Sequence, residues 1–378
     1  MKFGVFGGVL ALALGLASPA FADIKIGVSV SETGPASSLG DPEAKTISML
    51  VDEINAAGGV LGQKIKLFLY DDGGDPNKAR TFATRLVEDD EVVAIIGGST
   101  TGATMSIIPV VETAKIPFIS LAGAVEIVDP VKPFVFKTPH TDRMACRKIF
   151  EDMKARAFAK IALISGSDGF GASMRKQCLA VIGDFGITVL ADETYGPNDS
   201  DMTPQLTNIR SKADVQAILN PGFGQGPAIV TRNYGQLGIK TPLYQSHGVA
   251  SKSFIDLAGP ASEGVRLPGT AILIANLLPD GDPQKAVVTA YKTSYEAKYG
   301  QPPSTFGGYA HDALRLLVDA IKRAGKAEPQ AIRDAIESTK GFVGVTGAFN
   351  MSATDHLGLD LSAFRMLEIK HGDWALAQ

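Results

Sequence analysis

Residues 24–59, IKIGVSVSETGPASSLGDPEAKTISMLVDEINAAGG, decide how the fold begins. The segment Ile24–Val30 is short, apolar and rich in β-branched residues, which predicts a buried strand. The apolar side chains that follow recur with the spacing of one helix face: Ile47, Leu50, Val51 and Ile54. This helix is expected to end at Gly58-Gly59, because glycine adopts the left-handed exit conformation without strain. A buried strand followed by an amphipathic helix is the repeating unit of a parallel α/β sheet.

The same alternation of short apolar runs and amphipathic stretches continues in two series. The first series ends at Phe118–Ser120, before a proline-rich joint at 129–133, and the second runs from Ile161–Ser165 to Leu243–Tyr244. A second joint is predicted at Arg266–Gly269. After it the pattern predicts three helices without a full set of strands, which should therefore pack on the first sheet: Pro283–Tyr299, Gly308–Ala324 and Pro329–Ser338. This pattern therefore predicts two α/β lobes that are joined by more than one connecting segment.

The N-terminus has the parts of a secretory signal peptide. Lys2 precedes the apolar run Val5–Ala17, and Ala20-Phe21-Ala22 places small residues at both ends of a cleavage site. We therefore expect residues 1–22 to be removed from an exported protein. The apolar run is too short to span a membrane, and no later stretch approaches the roughly 20 apolar residues that a spanning helix needs.

Composition and charge exclude several classes of function. The 36 Lys and Arg residues against 40 Asp and Glu residues give a formal charge of −4 and an isoelectric point near 5.8. This balance argues against nucleic acid as the main partner, which would require a basic face. The two cysteines, Cys146 and Cys178, are too few for a structural zinc site built on several thiolates. In an exported protein they form either a disulfide or two buried thiols, and the sequence leaves both open.

The chain contains none of the common enzyme motifs. It has no phosphate-binding loop of the G-x-x-x-x-G-K-[ST] type and no G-x-S-x-G nucleophile elbow. The glycines of residues 222–226 do not have the spacing of a dinucleotide fingerprint, and the histidines include no H-E-x-x-H pair. A catalytic metal is therefore unsupported, and we predict no catalytic residue and no cofactor.

One segment has the features of an anion-binding site. Gly98–Thr101 lies between a predicted strand and a predicted helix, where free backbone N–H groups and the helix dipole favour negative charge. The hydroxyl groups of Ser99, Thr100 and Thr101 can add donors without a charged side chain. The alternative is that these residues only cap the helix.

Segments spread over nearly the whole mature chain match one family in the same order: Ile24–Val28, Thr33–Pro35, Asp52–Val60, Tyr70–Asp72, Ile95–Thr101, Ile116–Ser120, Ser167–Gly171, Gly238–Pro242 and Gly308–Ala313. In these segments the chain resembles the leucine/isoleucine/valine-binding family of periplasmic solute receptors. The resemblance implies the α/β fold of type I periplasmic binding proteins, in which two lobes, each a parallel sheet flanked by helices, are joined by three crossovers. It also implies a monomeric receptor in the periplasm that delivers a small solute to an ABC-type permease in the inner membrane.

The resemblance also divides the mature chain. Lobe I is expected to comprise residues 23–138 and 271–357, and lobe II is expected to comprise residues 139–270 and 358–378. By the same comparison, Tyr309 and Asp312 are expected to serve the core or the hinge between the lobes rather than the ligand.

The family's ligand-binding positions in the first lobe can be carried over one at a time. Thr101 matches the hydroxyl residue that binds the ligand carboxylate. The segment Ala122-Gly123-Ala124 matches the loop after the next strand, where the family uses a backbone carbonyl at Ala122 and a threonine at the position of Ala124. Leu39 matches an aromatic residue at the rim of the first lobe.

In the second lobe the chain departs from the family pattern. Phe170 and Phe223 stand where the family has tyrosines, and His247 stands where it has the acid that neutralises the ligand ammonium. With Ala124 in place of the threonine, a buried ammonium would lose both its counter-charge and a hydroxyl. An uncompensated buried charge costs several kcal/mol, so an ordinary amino acid is expected to be a poor ligand.

We therefore expect a small aromatic carboxylate of the benzoate or 4-hydroxybenzoate type, held by the hydroxyl segment and surrounded by Phe170, Phe223 and Leu39. His247 could donate to a ring hydroxyl or, if protonated, to a carboxylate. The alternatives are a receptor for branched-chain amino acids or other aliphatic acids and amides, a sensory receptor of the same fold, and an exported α/β hydrolase.

Overall fold

The computed structural model describes residues 22–378, so the predicted signal peptide lies, except for its last residue, outside the described residues. The first sheet is formed by β1 (Ile24–Val30), β2 (Ile65–Asp71), β3 (Ala94–Gly97), β4 (Phe118–Ser120) and β5 (Val135–Lys137). Its strands are all parallel, in the order β2-β1-β3-β4-β5. The helices of this part are α1 (Ser37–Ala56), α2 (Pro76–Glu88) and α3 (Thr101–Ala114).

A second series of strands and helices follows β5. The helices are α4 (Asp142–Ala155), α5 (Gly169–Val181), α6 (Thr203–Arg210), α7 (Gly226–Gln236) and α8 (Lys252–Ala258). The strands are β6 (Lys160–Gly166), β7 (Thr188–Tyr195), β8 (Ala217–Asn220), β9 (Leu243–Gln245) and β10 (Arg266–Gly269). The last of these corrects the sequence-based prediction of a joint at 266–269. Arg266 and Pro268 made the segment resemble a linker, but the Arg266 guanidinium is paired with Asp152 at 3.0 Å and with Glu368 at 2.9 Å.

The remaining elements complete both lobes. They are α9 (Lys285–Tyr299), α10 (Thr305–Ala324) and α11 (Pro329–Glu337), a short antiparallel pair β11 (Phe342–Val343) and β12 (Ala348–Phe349), and finally β13 (Arg365–Lys370) and β14 (Asp373–Leu376). The second sheet has the order β14-β13-β10-β9-β8-β6-β7. Strands β13 and β14 join it in antiparallel orientation, and its other pairs are parallel.

The chain passes between the two sheets three times, as the type I fold requires: after β5, after β10, and between β12 and β13. The prediction that the late helices pack on the first sheet is confirmed. The hydroxyl groups of Thr46 on α1 and Tyr291 on α9 are 2.7 Å apart, and the Tyr299 hydroxyl donates to the Lys45 carbonyl. Helix α10 also contributes buried side chains to the core of the first sheet.

Two local features complete the description of the fold. Cys146 on α4 and Cys178 on α5 form a disulfide, which decides between the two states that the sequence left open. Across residues 22–378, no helix combines the length and the apolar character needed to cross a membrane.

Candidate ligand-binding site

The first sheet reverses its strand order between β1 and β3, and ligands of open α/β sheets bind at the carboxyl ends of strands at such a point. Here the end of β3 runs into α3 through Gly97 and Gly98, which have φ values of 148° and 66°. A Cβ atom at Gly97 would lie 2.0 Å from the Ser29 carbonyl oxygen. Glycine is therefore required for the turn that brings Ser99 and Thr100 to the point where the strand order reverses.

The three hydroxyl residues of this turn have different roles. Thr100 is the N-cap of α3, and its side-chain oxygen accepts from the Ala103 N–H group at 3.2 Å. The Ser99 hydroxyl accepts from the Ser31 N–H group and is hydrogen-bonded to the Glu43 carboxyl group. The Thr101 hydroxyl is buried without a partner among the described residues. Because Thr101 is the first residue of α3, its N–H group also has no acceptor inside the helix.

A cavity lies in front of this turn, and eight of the ten predicted site residues line it: Leu39, Ser99, Thr100, Thr101, Gly123, Phe170, Phe223 and His247. Ala122 and Ala124 are buried beside the cavity but do not belong to its lining. The Ala122 N–H group donates to the Ser120 hydroxyl, and the Ala124 carbonyl accepts from the Lys137 ammonium at 3.1 Å. Of the three residues Ala122, Gly123 and Ala124, only Gly123 lines the cavity.

The sequence missed part of the lining, most of all on α10. Phe306 and Tyr309 line the cavity, although Tyr309 was expected to serve only the core or the hinge. Tyr309 is 1% exposed, and its hydroxyl group has no partner among the described residues. The sequence did indicate that Phe306 and Tyr309 lie in the first turns of a helix, because Ser304 precedes them as an N-cap. That signal does not reveal that the helix start faces the second lobe.

The two lobes touch across the cavity, so the structure shows a closed cleft. A Cβ atom at Gly123 of the first lobe would lie 2.7 Å from Cε2 of Phe170 and 3.0 Å from Nε2 of His247. A Cβ atom at Gly224 would lie 2.9 Å from the Pro35 carbonyl oxygen. The cavity is therefore lined by groups from both lobes, as in a ligand clamp.

His247 is a neutral member of the cavity wall. It is 3% exposed, and its ring lies edge-on to the rings of Phe170 and Phe364, each at 5.4 Å. Burial, with a contribution from the charge of Lys137, lowers the pKa of His247 to about 3. The imidazole is thus uncharged at neutral pH, and its Nδ1 atom has no partner among the described residues. It can exchange a hydrogen bond with a ligand but cannot supply a positive charge.

The lining contains no Asp, Glu, Lys or Arg side chain. Two acids of the second lobe, the buried Asp142 and the half-buried Asp168, are occupied by backbone N–H groups. Asp142 accepts from Val125 at 3.0 Å, and Asp168 accepts from Phe170 at 2.9 Å. The cavity therefore offers hydrogen-bond donors and apolar surface, but no carboxylate for a ligand ammonium.

Comparisons with known proteins support the two-lobe fold. Among curated relatives, the leucine-, isoleucine-, valine-, threonine- and alanine-binding protein of Pseudomonas aeruginosa is 27% identical over 323 residues, which cover 83% of this chain and 82% of the relative. An extracellular ligand-binding receptor from Rhodopseudomonas palustris HaA2 superimposes with a TM-score of 0.88 at 29% identity, over 94% of this chain and 99% of that one. The branched-chain amino acid transporter substrate-binding protein LivJ of Streptococcus pneumoniae, solved with isoleucine, gives a TM-score of 0.84 at 26% identity, over 94% of this chain and 99% of that one.

The sequence pattern of one family covers almost all of the described residues. The periplasmic binding protein family matches residues 23–373. The two-sheet structure superimposes on the solved receptors named above over 94% of this chain. The chain therefore belongs to the periplasmic binding protein family, as a solute-binding protein with the two-lobe fold of its type I members.

Proposed function

We propose that this protein binds a small aromatic carboxylate of the benzoate or 4-hydroxybenzoate type and delivers it to an ABC-type permease in the inner membrane. The observation that carries the proposal is the cavity lining. It combines an unpartnered hydroxyl at a helix N-terminus with several aromatic side chains and has no acidic group.

The carboxylate is assigned to the turn at the start of α3. The Thr101 hydroxyl and the free N–H groups of the first helical turn can donate to the carboxylate oxygens, and the helix dipole favours the negative charge there. Thr100 retains its hydroxyl proton as a further donor, because its capping bond uses only the oxygen. Among the described residues no cation lines the cavity, so the ligand would contact dipoles rather than a charged side chain.

The ring is assigned to the aromatic part of the lining. Phe170 and Phe223 meet edge to face with their centroids 6.1 Å apart, and Phe306 and Tyr309 line the cavity from α10. Aromatic rings pack favourably against one another in such edge-on and offset arrangements. The Tyr309 hydroxyl and Nδ1 of His247, both without partners within residues 22–378, are suited to a ring hydroxyl group.

Branched-chain amino acids are the second candidate, because relatives are named for binding them and LivJ was solved with isoleucine. An aliphatic side chain would also suit the apolar lining, and its carboxylate would use the same donors. The two candidates differ at the amino group. A buried ammonium in this cavity would have no acidic partner, at a cost of several kcal/mol.

The closed cleft suggests how binding is signalled to the permease. The ligand would dock on the turn of the first lobe, and closure would bring Phe170, Phe223 and His247 over it. A permease can distinguish loaded from empty receptor only if the ligand binds the closed state more tightly than the open state. A ligand that contacts both lobes makes more contacts in the closed state than in the open state and therefore binds the closed state more tightly.

The Thr101→Val substitution is expected to weaken benzoate binding by roughly 10- to 100-fold. Valine keeps the shape of the side chain and removes the hydroxyl, and a hydrogen bond to a charged group contributes about 1.5–3 kcal/mol. Isothermal titration calorimetry would measure the change, and Thr101→Ser, which keeps the hydroxyl, should remain within a few-fold of the wild type. Equal affinities of the valine variant and the wild type would remove Thr101 from the site.

A further inference from the structure

A buried carboxyl group lies directly behind the anion-binding turn. Glu43 on α1 is 0% exposed, and no Lys, Arg or His side chain of the described residues lies within ion-pair distance of it. Its Oε2 atom is hydrogen-bonded to the Ser99 hydroxyl, and its Oε1 atom has no partner among the described residues. A carboxylate without a cation in such a place is costly.

The neighbours of Glu43 add negative charge. Asp72 is also 0% exposed and accepts from the hydroxyl groups of Ser29 and Ser31 at 2.9 and 2.7 Å. Through Ser31, whose N–H group donates to Ser99, the two acids belong to one hydrogen-bonded chain. Burial raises the pKa of Glu43 well above 4.5, the bond from Ser99 opposes this change, and Asp72 adds to it. Asp72 has three hydrogen-bond donors, including the Gly74 N–H group, and so has the better environment for the charge.

We propose that Glu43 keeps its proton when the carboxylate ligand binds, and that this proton orients the Ser99 hydroxyl toward the ligand. A protonated Oε2 atom donates to Ser99, whose oxygen then accepts from both Glu43 and the Ser31 N–H group. The proton of the Ser99 hydroxyl remains for the ligand, because both acceptor positions are filled. If Glu43 is ionised, the Ser99 hydroxyl donates its hydrogen bond to the Glu43 carboxylate instead of to the ligand. The negative charge of Glu43 then lies only one hydroxyl group away from the ligand. This inference rests on the proposed function, and Glu43 is a positioning residue.

The direction of the pH dependence follows from this role. Binding uses the protonated form, so affinity is complete below the raised pKa of Glu43 and falls as the pH rises through it, by up to about tenfold per pH unit. Lys137 also titrates near the site, because burial lowers its pKa to about 7, and its loss of charge would weaken anion binding as well. Asp41 and Lys45 on the same helix are paired with each other at 2.7 Å, and His247 across the cavity is neutral.

The test is calorimetric titration of the mature protein with benzoate over a pH series. The wild-type affinity for benzoate is expected to fall with rising pH. The measured binding heat should change with the ionisation enthalpy of the buffer, because the protein takes up a proton from the buffer when benzoate binds. Glu43→Gln, whose amide donates to Ser99 at every pH, should bind benzoate within about threefold of the low-pH wild type and lose most of the pH slope. Glu53→Gln, an exposed position on the same helix, is the control and should keep the wild-type profile.

The outcomes separate the two proposals. Benzoate binding without proton uptake, or an unchanged pH slope in Glu43→Gln, would overturn the role of Glu43 and leave the proposed function intact. Absence of benzoate binding at every pH would overturn the proposed function and this role with it. Should Glu43→Gln fail to fold, the infrared carbonyl band of a protonated carboxylic acid in the wild type is the second measurement. This band should disappear over the same pH range in which benzoate affinity is lost. A wild-type protein without the band at low pH would overturn the inference.

Discussion

The His247→Glu substitution is expected to weaken benzoate binding by more than about 100-fold and to allow leucine to bind. The change places a carboxylate in a wall of the cavity that is now neutral, next to Phe170 and opposite Gly123. A like charge in this enclosed space repels the ligand anion, and the penalty for close buried charges is several kcal/mol. The same carboxylate would neutralise the ammonium of an amino acid.

Affinities for benzoate and leucine, measured by calorimetry above neutral pH where the new carboxyl group is ionised, would check this prediction. His247→Gln is the matched control, because it keeps a neutral hydrogen-bonding side chain of similar reach. It should retain benzoate binding within about tenfold. Tight benzoate binding by the glutamate variant would show that the position does not face the ligand.

The Asp312→Ala substitution is expected to lower the free energy of unfolding by about 3–5 kcal/mol. Asp312 is buried on α10 and accepts from the N–H groups of Val345 and Thr346, each at 2.8 Å, and from the Thr346 hydroxyl. Its Oδ1 atom is also 2.9 Å from Nδ1 of His311. Alanine would leave these donors buried without an acceptor and release the 344–346 segment from the helix.

Denaturation in urea, followed by circular dichroism, would measure this loss. Asp319→Ala on the same helix is the control, because Asp319 is half exposed and only pairs with Arg323. That surface pair should contribute less than about 1 kcal/mol. Equal stabilities of the two variants would contradict the assignment of Asp312 as the acceptor that holds the segment in place.

Local signals predicted much of the fold. Strand β1 has the bounds that its apolar run predicted, and α1, whose end was expected at Gly58-Gly59, runs to Ala56. Strands β10 and β13 were not predicted, because they are stabilised by pairing with each other although about 100 residues separate them. A short segment that contains arginine, proline and glycine gives no local indication of such a partner.

In the candidate site, too, local sequence predicted some features and long-range packing determines the others. Sequence patterns and the family resemblance found the turn at Ser99–Thr101 and the aromatic wall, because both follow the ends of predicted strands. The contributions of Phe306 and Tyr309 depend on how α10 packs back across the cleft, which no local pattern contains. Glu43 was also not anticipated, because an acidic residue near the start of a helix is ordinarily exposed. Its burial results from the packing of α1 over the point where the strand order reverses.

The central claim is that the ligand is a small carboxylate without an ammonium group, and a thermal-shift screen of mature residues 23–378 tests it most directly. The panel would contain benzoate, 4-hydroxybenzoate, cinnamate, octanoate, leucine and glutamate. A ligand at about 100 times its Kd stabilises the folded state by roughly 2.7 kcal/mol, which gives a clear rise in Tm. We expect the aromatic acids to raise Tm and leucine to leave it unchanged. A rise with leucine and none with the aromatic acids would contradict the account and show that another group balances the ammonium.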